Sequence, residues 1–325
     1  MSHLENRHLS NSVIMVQPID FGYNEQTSKD NEFQHRPSIN ELKNINHRVN
    51  AEFEETIQTL QALGIETLIL GKDHTDALLP DAIFPNNWFS TTTAGDLHIF
   101  PMKTKNRQDE VQTNELSELV NKAGYHINQV IDLRKELKSG SILEGTGSII
   151  FHRPSNTIFA AISERCQQSA IEEYASRFGY QLVIFTTTSN TGSAIYHTNV
   201  LMSCGEDFVL ITNSIVEEEK RNTIRSVIEE NVGTMIIITE EQMTNHFCGN
   251  ILQLLDQNQQ SVIALSHSAY IGFTTSQKKF LESKGSLAVC KIPTIEHIGG
   301  GSIRCMLAEN FLPNSAKIKK RNQLN

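Results

Sequence analysis

The segment "GSIIFHRPSNTIFAAISERCQQSAIEEYASRFGYQLVIF", residues 147–185, contains every element of the unit from which this chain is built. Two apolar runs flank a Pro-Ser-Asn turn, which predicts a pair of antiparallel strands. Apolar residues then recur at helical spacing from residue 164 until a glycine at 179, and "YQLVIF" predicts a third strand. The segment therefore predicts a strand–strand–helix–strand unit.

The same order of elements recurs along the whole sequence. Ser148, Asn199 and Asn250 stand at equivalent points of three copies, about 50 residues apart. An earlier copy begins at residues 86–101, "NNWFSTTTAGDLHIFP", and a fifth combines residues 12–18 near the start with "SIRCMLAEN", residues 302–310. One unit alone buries its faces poorly, whereas five units in a closed ring leave no exposed sheet edge. The sequence predicts an α/β fold, a five-bladed α/β propeller of pseudo-fivefold ββαβ repeats; the alternative is a mixed α/β domain without symmetry.

The sequence between the repeats contains no candidate linker between domains. No Pro- or Gly-rich stretch interrupts the 325 residues. We expect one catalytic domain over residues 1–325, with a packed core at 12–313 and tails at 1–11 and 314–325.

Composition excludes several classes of partner. Lys plus Arg is 28 and Asp plus Glu is 37, so the net charge of −9 argues against a nucleic acid or an anionic membrane as partner. No apolar run reaches the roughly 18 residues that span a bilayer, and the first residues lack the apolar core of a secretory signal. The five cysteines contain no CxxC pair and read as reduced thiols, so we expect a cytoplasmic protein.

The candidates for chemistry share one position in the repeat, at or just before the first strand of a copy. In a ring these positions meet at the axis, so side chains far apart in the sequence would surround one central pocket. The candidates are Asn86, Asn87, Glu144, His197, Asn199 and Cys305.

Three of these candidates suit nucleophilic catalysis. Cys305 follows three glycines, which allow the backbone to approach a ligand closely, and a neighbouring imidazole would favour its reactive thiolate. His197 could supply that imidazole, and Glu144 could orient it as the acid of a triad does. Each also has a structural alternative: a small buried thiol, a buried structural histidine, and a carboxylate that caps a turn.

At these residues the chain resembles the guanidine-modifying superfamily of arginine deiminases, dimethylarginine dimethylaminohydrolases and amidinotransferases. The likeness rests on "FGYN", "PDAIFPNNW", "EGTGS", "YHTNV" and "GGGSIRCM" and covers nearly the whole chain. It is closest to the bacterial branch of citrulline-utilisation hydrolases and amidinotransferases. The resemblance implies a five-bladed α/β propeller, with Cys305 as nucleophile, His197 as general acid and base, and Glu144 as the acid that steadies the histidine.

The resemblance also implies how an amino-acid substrate is held. Asp81 in "PDAIF" is similar to an aspartate that binds the substrate ammonium. Arg107 and Arg165 resemble arginines that grip the substrate carboxylate, the alternative being surface charges paired with neighbouring acids. The segment "FGYNEQTSKDN" resembles a lid loop in which Phe21 and Tyr23 cover the pocket or belong to the core.

The chain departs from the family at two positions. Family members that act on a guanidinium carry acidic side chains where Asn87 stands, and usually where Asn199 stands. A carboxylate only accepts hydrogen bonds, whereas a carboxamide both donates and accepts, which suits a neutral ureido group with one carbonyl and several N–H donors. The pair therefore favours a ureido substrate, with Asn86 pointing elsewhere. A guanidinium bound through weaker hydrogen bonds remains the alternative.

The sequence thus predicts a cysteine-dependent hydrolase of a non-peptide C–N bond, which converts citrulline to ornithine, ammonia and CO2 through a covalent Cys305 intermediate. The alternatives are an arginine or dimethylarginine deiminase-type hydrolase, an amidinotransferase, and a propeller that only binds a partner. The expected ligand is a small amino acid. No metal or organic cofactor is expected, because the nucleophile is a side chain and the leaving group needs only a proton.

Overall fold

The computed structural model describes residues 8–71 and 77–314. Residues 1–7 and 315–325, which make up most of the two predicted tails, lie outside the described residues. Leu9 and Ser10 are buried, and the Ser10 hydroxyl donates to the carbonyl of Asn310 at 2.8 Å. The packed part of the chain therefore extends ahead of residue 12, where the sequence placed its start.

The strands of the described residues form five sheets of three strands each. In chain order they are β1 (Ser12–Val16), β2 (Glu66–Leu70), β3 (Phe89–Thr91), β4 (Asp96–Ile99), β5 (Gln129–Asp132), β6 (Ile150–His152), β7 (Thr157–Ala161), β8 (Gln181–Phe185), β9 (Met202–Cys204), β10 (Phe208–Ile211), β11 (Thr234–Ile237), β12 (Leu252–Leu255), β13 (Ser261–Ser266), β14 (Ser286–Cys290) and β15 (Ala308–Glu309).

All five sheets have the same topology. The central strand pairs antiparallel with the first strand of the repeat and parallel with the third, as β7 does between β6 and β8. In one sheet the first strand comes from the end of the chain: β15 pairs antiparallel with β1, which pairs parallel with β2. This is the combination of termini that the repeat predicted. The structure is a mixed α/β arrangement of five equivalent sheets.

The helices connect these strands. They are α1 (Ile39–Leu42), α2 (Ile45–Ala62), α3 (Lys105–Gln108), α4 (Thr113–Lys122), α5 (Leu133–Glu136), α6 (Gly145–Ser148), α7 (Gln168–Phe178), α8 (Thr198–Leu201), α9 (Glu218–Asn231), α10 (Glu240–His246), α11 (His267–Gly272), α12 (Thr275–Lys284), α13 (Pro293–Gly299) and α14 (Ile303–Met306). One helix of ten residues or more, such as α7 or α9, lies between the central and the third strand of each repeat. Such a crossover is what a parallel strand pair requires.

One predicted helix begins later than its sequence pattern. The pattern started at residue 164, but α7 begins at Gln168 and ends, as predicted, at Gly179 in the left-handed conformation at φ 72°. Ser163 and Cys166 instead form a bridge, and the hydroxyl of Ser163 accepts the amide N–H of Arg165 at 3.1 Å. A side chain that offers the backbone a local hydrogen bond favours a turn over a helix. This turn allows Arg165 to project away from α7.

The fold gives each repeat a similar local structure ahead of its first strand. A short helical turn precedes β3 at residues 85–87, β6 at α6, β9 at α8 and β15 at α14, and a bend at residues 248–250 precedes β12. First strands of neighbouring sheets contact one another, as β15 with β3, β6 with β9, and β9 with β12. The turns that carry the candidate residues are thereby brought to one region. Within the described residues, no helix is both long and apolar enough to cross a bilayer.

Candidate active site

Most of the candidate residues line one small cavity with a volume of about 10 Å³. Its walls combine the turns before the first strands with the glycine loop and the segment that follows β1. The lining residues are Asn31, Asp81, Phe84, Asn87, Arg107, Arg165, Tyr196, His197, Gly299, Gly300, Gly301 and Cys305. Residues more than 200 positions apart therefore meet as the repeat predicted. Asn86, Glu144 and Asn199 lie in contact with this wall rather than on it.

A histidine–glutamate pair forms one side of the cavity. The Nε2 of His197 lies 2.7 Å from Oε2 of Glu144, and both side chains are buried. The other carboxylate oxygen accepts the amide N–H of Lys103 at 2.9 Å. Burial raises the pKa of Glu144, but the charge of Arg165 and the bond to His197 outweigh it and bring the pKa to about 2. Glu144 is therefore an ionised acceptor at neutral pH.

This carboxylate determines the tautomer of the imidazole. Burial lowers the pKa of His197 although Glu144 opposes the shift, so the ring is neutral at rest. An ionised carboxylate only accepts, so Nε2 carries the proton and Nδ1 is left as the basic nitrogen. A general base on the cavity wall needs this arrangement.

A glycine brings the histidine close to Asn87. A Cβ atom on Gly147 would lie 2.9 Å from Nδ1 of His197 and 2.2 Å from Nδ2 of Asn87. Real Cβ atoms do not make contacts this short, so the position requires glycine. Because Gly147 has no side chain, both the Asn87 amide and the basic nitrogen of His197 can approach this point of the backbone.

The sulfur of Cys305 lies among amides. The Nδ2 atoms of Asn199 and Asn250 each stand 3.3 Å from Sγ. Burial raises the pKa of the Cys305 thiol, and a hydrogen bond from the backbone of Ser302 and the amides of Asn250 and Asn199 oppose that shift. Asn250 was not among the predicted site residues. The signal was present, because Asn250 occupies the same point of its repeat as Asn199.

Several amide atoms around the cavity have no hydrogen-bond partner. These buried atoms are Nδ2 and Oδ1 of Asn86, Nδ2 of Asn87 and Oδ1 of Asn199. Buried polar groups in folded proteins are nearly always paired, so unpaired ones indicate a place where something else binds. Asn87 is the one of these residues that lines the cavity itself. Asn86 turns away from it, and its backbone carbonyl accepts the hydroxyl of Thr146 at 3.1 Å.

The opposite end of the cavity is charged. Asp81 is buried and accepts hydrogen bonds from Asn24 at 2.7 Å and Thr27 at 2.9 Å. Burial raises the pKa of Asp81. Arg107 is also buried, with Nη2 donating to the carbonyl of Phe84 at 2.9 Å and Nε 3.0 Å from Oε2 of Glu110. Arg107 is therefore not at the surface, but it does pair with a neighbouring acid, as the alternative interpretation supposed.

Arg165 reaches the same end and is fully engaged within the chain. Its Nε donates to Asp30 at 3.2 Å, its Nη2 donates to the carbonyl of Thr27 at 3.1 Å and also pairs with Asp30, and its Nη1 lies 3.7 Å from Glu144. The guanidinium carbon stands 4.7 Å from the centre of the Tyr196 ring. Burial raises the pKa of Asp30, but Arg165 and Lys103 bring it below its usual value. The guanidinium predicted to grip a substrate carboxylate thus already holds a carboxylate of the chain.

The segment from Asp20 to Arg36 covers the cavity. It has no helix or strand, and Gln34 donates to the carbonyl of Gly299 at 3.0 Å, which ties the segment to the glycine loop. Phe21 is buried against Gly299 beside Phe84, whereas Tyr23 is half-buried under the guanidinium of Arg36. Phe21 therefore closes the glycine side of the cavity. Among the described residues, no three His, Cys, Asp or Glu side chains lie close enough to hold a metal ion.

Known proteins resemble this chain in sequence or in fold. A family model described as eukaryotic N,N-dimethylarginine dimethylhydrolase matches residues 17–312. No curated protein matches the sequence.

Solved structures with this fold include guanidine-modifying enzymes. The N-terminal domain of ArgZ, an arginine dihydrolase from the ornithine–ammonia cycle in cyanobacteria, was solved with product bound; it is 16% identical, with a TM-score of 0.68 over 93% of this chain and 99% of that domain. AgrE with L-arginine is 14% identical, with a TM-score of 0.67 over 92% of this chain and 40% of that longer one. A dimethylarginine dimethylaminohydrolase with an S-methyl-L-thiocitrulline adduct is 12% identical, with a TM-score of 0.64 over 93% of this chain and all 100% of that one.

The match of the family model spans most of the chain. The chain therefore belongs to the dimethylarginine dimethylhydrolase family, within the guanidine-modifying superfamily. The prediction of a hydrolase of non-peptide C–N bonds is confirmed at the level of this family.

Proposed function

We propose that this member of the dimethylarginine dimethylhydrolase family hydrolyses a ureido amino acid, citrulline first, to ornithine, ammonia and CO2. The proposal rests above all on one observation. Where family members that act on a guanidinium carry acidic side chains, this chain has Asn87 and Asn199, whose amides have unpaired buried atoms. Two carboxylates there would hold a cation, whereas two carboxamides meet a neutral ureido head without leaving a charge unpaired.

The unpaired atoms match the groups that a ureido head presents. The free Nδ2 of Asn87 can donate to the ureido oxygen, on which negative charge develops during attack. The free Oδ1 of Asn199 can accept a ureido N–H while its Nδ2 stays on the sulfur. Asn87 then supplies the donor, and Asn199 the acceptor, that the substrate requires.

Cys305, His197 and Glu144 would carry the reaction. The imidazole of His197 takes the thiol proton of Cys305, and the resulting thiolate attacks the ureido carbon. The imidazolium of His197 then gives its proton to the nitrogen that leaves. Glu144 stabilises that imidazolium through its bond to Nε2. The basic nitrogen of His197 next takes a proton from water, which releases the acyl group from sulfur. One water is consumed overall, and the carbamic acid formed gives ammonia and CO2.

The charged end of the cavity would bind the rest of the amino acid. We expect Asp81 to bind the ammonium group, and Arg107 and Arg165 to bind the carboxylate, since all three line the cavity. Because Asp30 now occupies Arg165, the substrate carboxylate has to replace or join Asp30 as the covering segment opens and closes. Two bound ends fix the ureido carbon near the sulfur.

We also infer that the five sheets stand in a closed ring, a five-bladed α/β propeller forming one catalytic domain. The contacts between first strands and the pairing of β15 with β1 support this arrangement. A ring would explain why every candidate residue lies on a turn that faces the same cavity.

The second candidate function is hydrolysis of a guanidino amino acid such as arginine. Membership of a dimethylarginine dimethylhydrolase family favours it. In that case Glu144 would be the nearest charge to balance the substrate cation at the sulfur end. An enzyme of this kind that continued past citrulline would release two ammonia molecules for each ornithine, whereas citrulline hydrolysis releases one.

Purified protein supplied separately with citrulline, arginine and dimethylarginine tests the proposal. We expect ornithine from citrulline, with equal amounts of ammonia, and an acyl adduct on the Cys305 peptide in samples quenched during turnover. A Cys290→Ala variant is the matched control, because Cys290 is a buried thiol on β14 away from the cavity. Turnover of arginine without turnover of citrulline would reverse the ranking of the two functions, and a mixture of ornithine and glycine as acceptors would reveal an amidinotransferase.

A further inference from the structure

The sulfur of Cys305 has an unusual set of neighbours. Two carboxamide nitrogens, from Asn199 and Asn250, approach it at 3.3 Å from two different repeats. Both residues are fully buried, at 1% and 0% exposure, so neither amide is held there by solvent. The two asparagines occupy the same point of successive repeats, next to the turns that begin β9 and β12.

The orientation of the Asn250 amide is fixed by the backbone. Its Oδ1 accepts the N–H of Arg304 at 3.0 Å, and its Nδ2 donates to the carbonyl of Asn199 at 2.8 Å. An amide rotated by half a turn would set oxygen against oxygen and N–H against N–H, so both bonds would be lost. The amide nitrogen of Asn250 is therefore the atom closer to the sulfur, at 3.3 Å, and its oxygen, 3.7 Å from Sγ, accepts the S–H of the neutral thiol.

The charge of Arg304 lowers the pKa of the Cys305 thiol, but its guanidinium makes its hydrogen bonds elsewhere. It donates to the carbonyl of Leu307 at 3.1 Å and lies 3.5 Å from Glu309. The imidazole of His197 is neutral at rest, because burial lowers its pKa. A substrate without charge would bring no cation of its own. The hydrogen bonds that a thiolate receives therefore come from neutral N–H donors, which bind an anionic acceptor about twice as strongly as a neutral one.

From this geometry we propose that Asn250, together with Asn199, forms an amide cradle that stabilises the Cys305 thiolate and makes Asn250 a catalytic residue. The proposal rests on the proposed function in one respect, that Cys305 is the nucleophile. It adds a role for Asn250 and gives the two polar atoms of Asn199 different roles. Nδ2 of Asn199 donates to the sulfur, and Oδ1 is free to bind the substrate. A neutral substrate is the case in which such a cradle matters most.

Two substitutions separate the cradle from a merely structural role. Asn250→Ala removes the donor to sulfur and the acceptor for Arg304. Asn250→Asp keeps an oxygen for the N–H of Arg304 but replaces the donor by a second oxygen. Asn250→Asp also loses the donor to the carbonyl of Asn199, so its stability is measured separately. A structural role alone predicts a loss of stability with unchanged ionisation of Cys305, whereas the cradle predicts that Asn250→Asp lowers the ionisation of Cys305 at least as much as Asn250→Ala does.

The measurement is the rate at which iodoacetamide alkylates Cys305, followed on the Cys305 peptide by mass spectrometry between pH 6 and pH 9. Only the thiolate reacts, so the rate reports ionisation without any substrate. We expect the rate at pH 7 to fall roughly tenfold in both Asn250 variants, the size expected for one hydrogen bond to a charged group. A fall below threefold in either variant, or wild-type reactivity in Asn250→Asp, would overturn the proposal.

Two controls make the result specific. Asn314→Ala removes another buried amide, which donates to the carbonyl of Ala123 at 3.2 Å far from Cys305, and its Cys305 should react as in the wild type. Alkylation of Cys290 in each sample reports global opening, because that thiol is fully buried. If the Asn250 variants do not fold, Asn199→Ala is used for the test instead. It removes the other donor and should slow the alkylation of Cys305 by at least threefold.

The substrate assay remains a separate experiment. Slower alkylation in the variants of an enzyme that ignores citrulline would support the cradle and contradict the proposed substrate. Unchanged alkylation in an enzyme that hydrolyses citrulline would contradict the cradle and leave the substrate in place.

Discussion

The two ends of the cavity differ in how they handle charge. At the sulfur end the amides of Asn199 and Asn250 contact Cys305, Asn87 lines the same cavity, and Glu144 stands behind His197. At the covered end Arg165 pairs with Asp30 and Arg107 with Glu110, and Asp81 is buried among amide and hydroxyl donors. A group that reacts at the first end meets dipoles, and a group held at the second exchanges one ion pair for another. The difference matches a substrate with a neutral head and a zwitterionic tail.

Removal of the Cys305 sulfur should abolish the reaction at the sulfur end of the cavity. For Cys305→Ala we expect the rate of citrulline hydrolysis to fall by roughly 10⁴-fold or more, because no other group in the cavity can take the acyl group. Ornithine release measured at saturating citrulline is the test. Cys290→Ala, which removes a buried thiol from β14, should retain its rate, and equal losses in both variants would point to damage to the fold.

The second largest effect should come from Glu144, the carboxylate that holds His197. For Glu144→Gln we expect kcat to fall by roughly 10²- to 10⁴-fold, because a neutral amide neither fixes the tautomer of His197 nor stabilises its protonated form. The KM should change much less, since Glu144 does not line the cavity. A variant that lost affinity and kept kcat would assign Glu144 to substrate binding.

The same carboxylate gives a pH dependence to the stability of the fold. The folded state holds the pKa of Glu144 at about 2, below its ordinary value of 4.5, so the stabilisation is present above pH 4.5 and is lost as the pH falls towards 2. The difference in melting temperature between wild type and Glu144→Gln should therefore be largest above pH 5 and shrink in acid. A difference that stays constant down to pH 2.5 would contradict this.

An added charge should be tolerated at one end only. Asn87→Asp places a carboxylate among the amides, and we expect kcat/KM for citrulline to fall by roughly 10²-fold, because the donor to the ureido oxygen is replaced by a buried anion. The kcat/KM for arginine should rise relative to that for citrulline. Asn31→Asp puts the same charge at the covered end, on a residue that also lines the cavity, and should leave the preference between the two substrates unchanged.

The smallest effect should come from the pair that holds the covering segment. Asp30→Asn removes the ion pair to Arg165 and Lys103, and we expect amide exchange in residues 24–34 to speed up about tenfold at unchanged global stability. Hydrogen exchange followed by mass spectrometry measures this. Asp207→Asn, which breaks the exposed pair with Lys284, is the matched control, and a similar acceleration there would show that the effect is not local.

The sequence was most informative where the structure is local and repeated. Alternating apolar strands, glycine-terminated helices and a constant spacing predicted the five sheets and the turns where His197 and Cys305 lie, because each signal spans only a few residues. Asn250 could have been found by the same logic, since its repeat position equals that of Asn199. It was missed because an asparagine without a charged or nucleophilic neighbour in sequence carries no chemical signal of its own.

The covered end lay beyond such reasoning. Arg165 and Asp30 are 135 positions apart, and their contact depends on the path of a segment without regular structure. The turn at Ser163, which frees Arg165 from the following helix, competes with a helical pattern that continues through it. Long-range pairing of charges is set by the folded backbone, and no periodicity in the residues encodes it.

The joining of β1 to β15 has a consequence for how the protein is made. Val13 pairs with Glu309, so β1 has no antiparallel partner until residues far later in the sequence have been synthesised, and Cys305 stands only three residues ahead of that late strand. The thiol of Cys305 therefore joins the scaffold in the same step that completes this sheet. A nascent or truncated chain carries the other side chains of the site without an assembled thiol centre, which ties activity to completion of the fold.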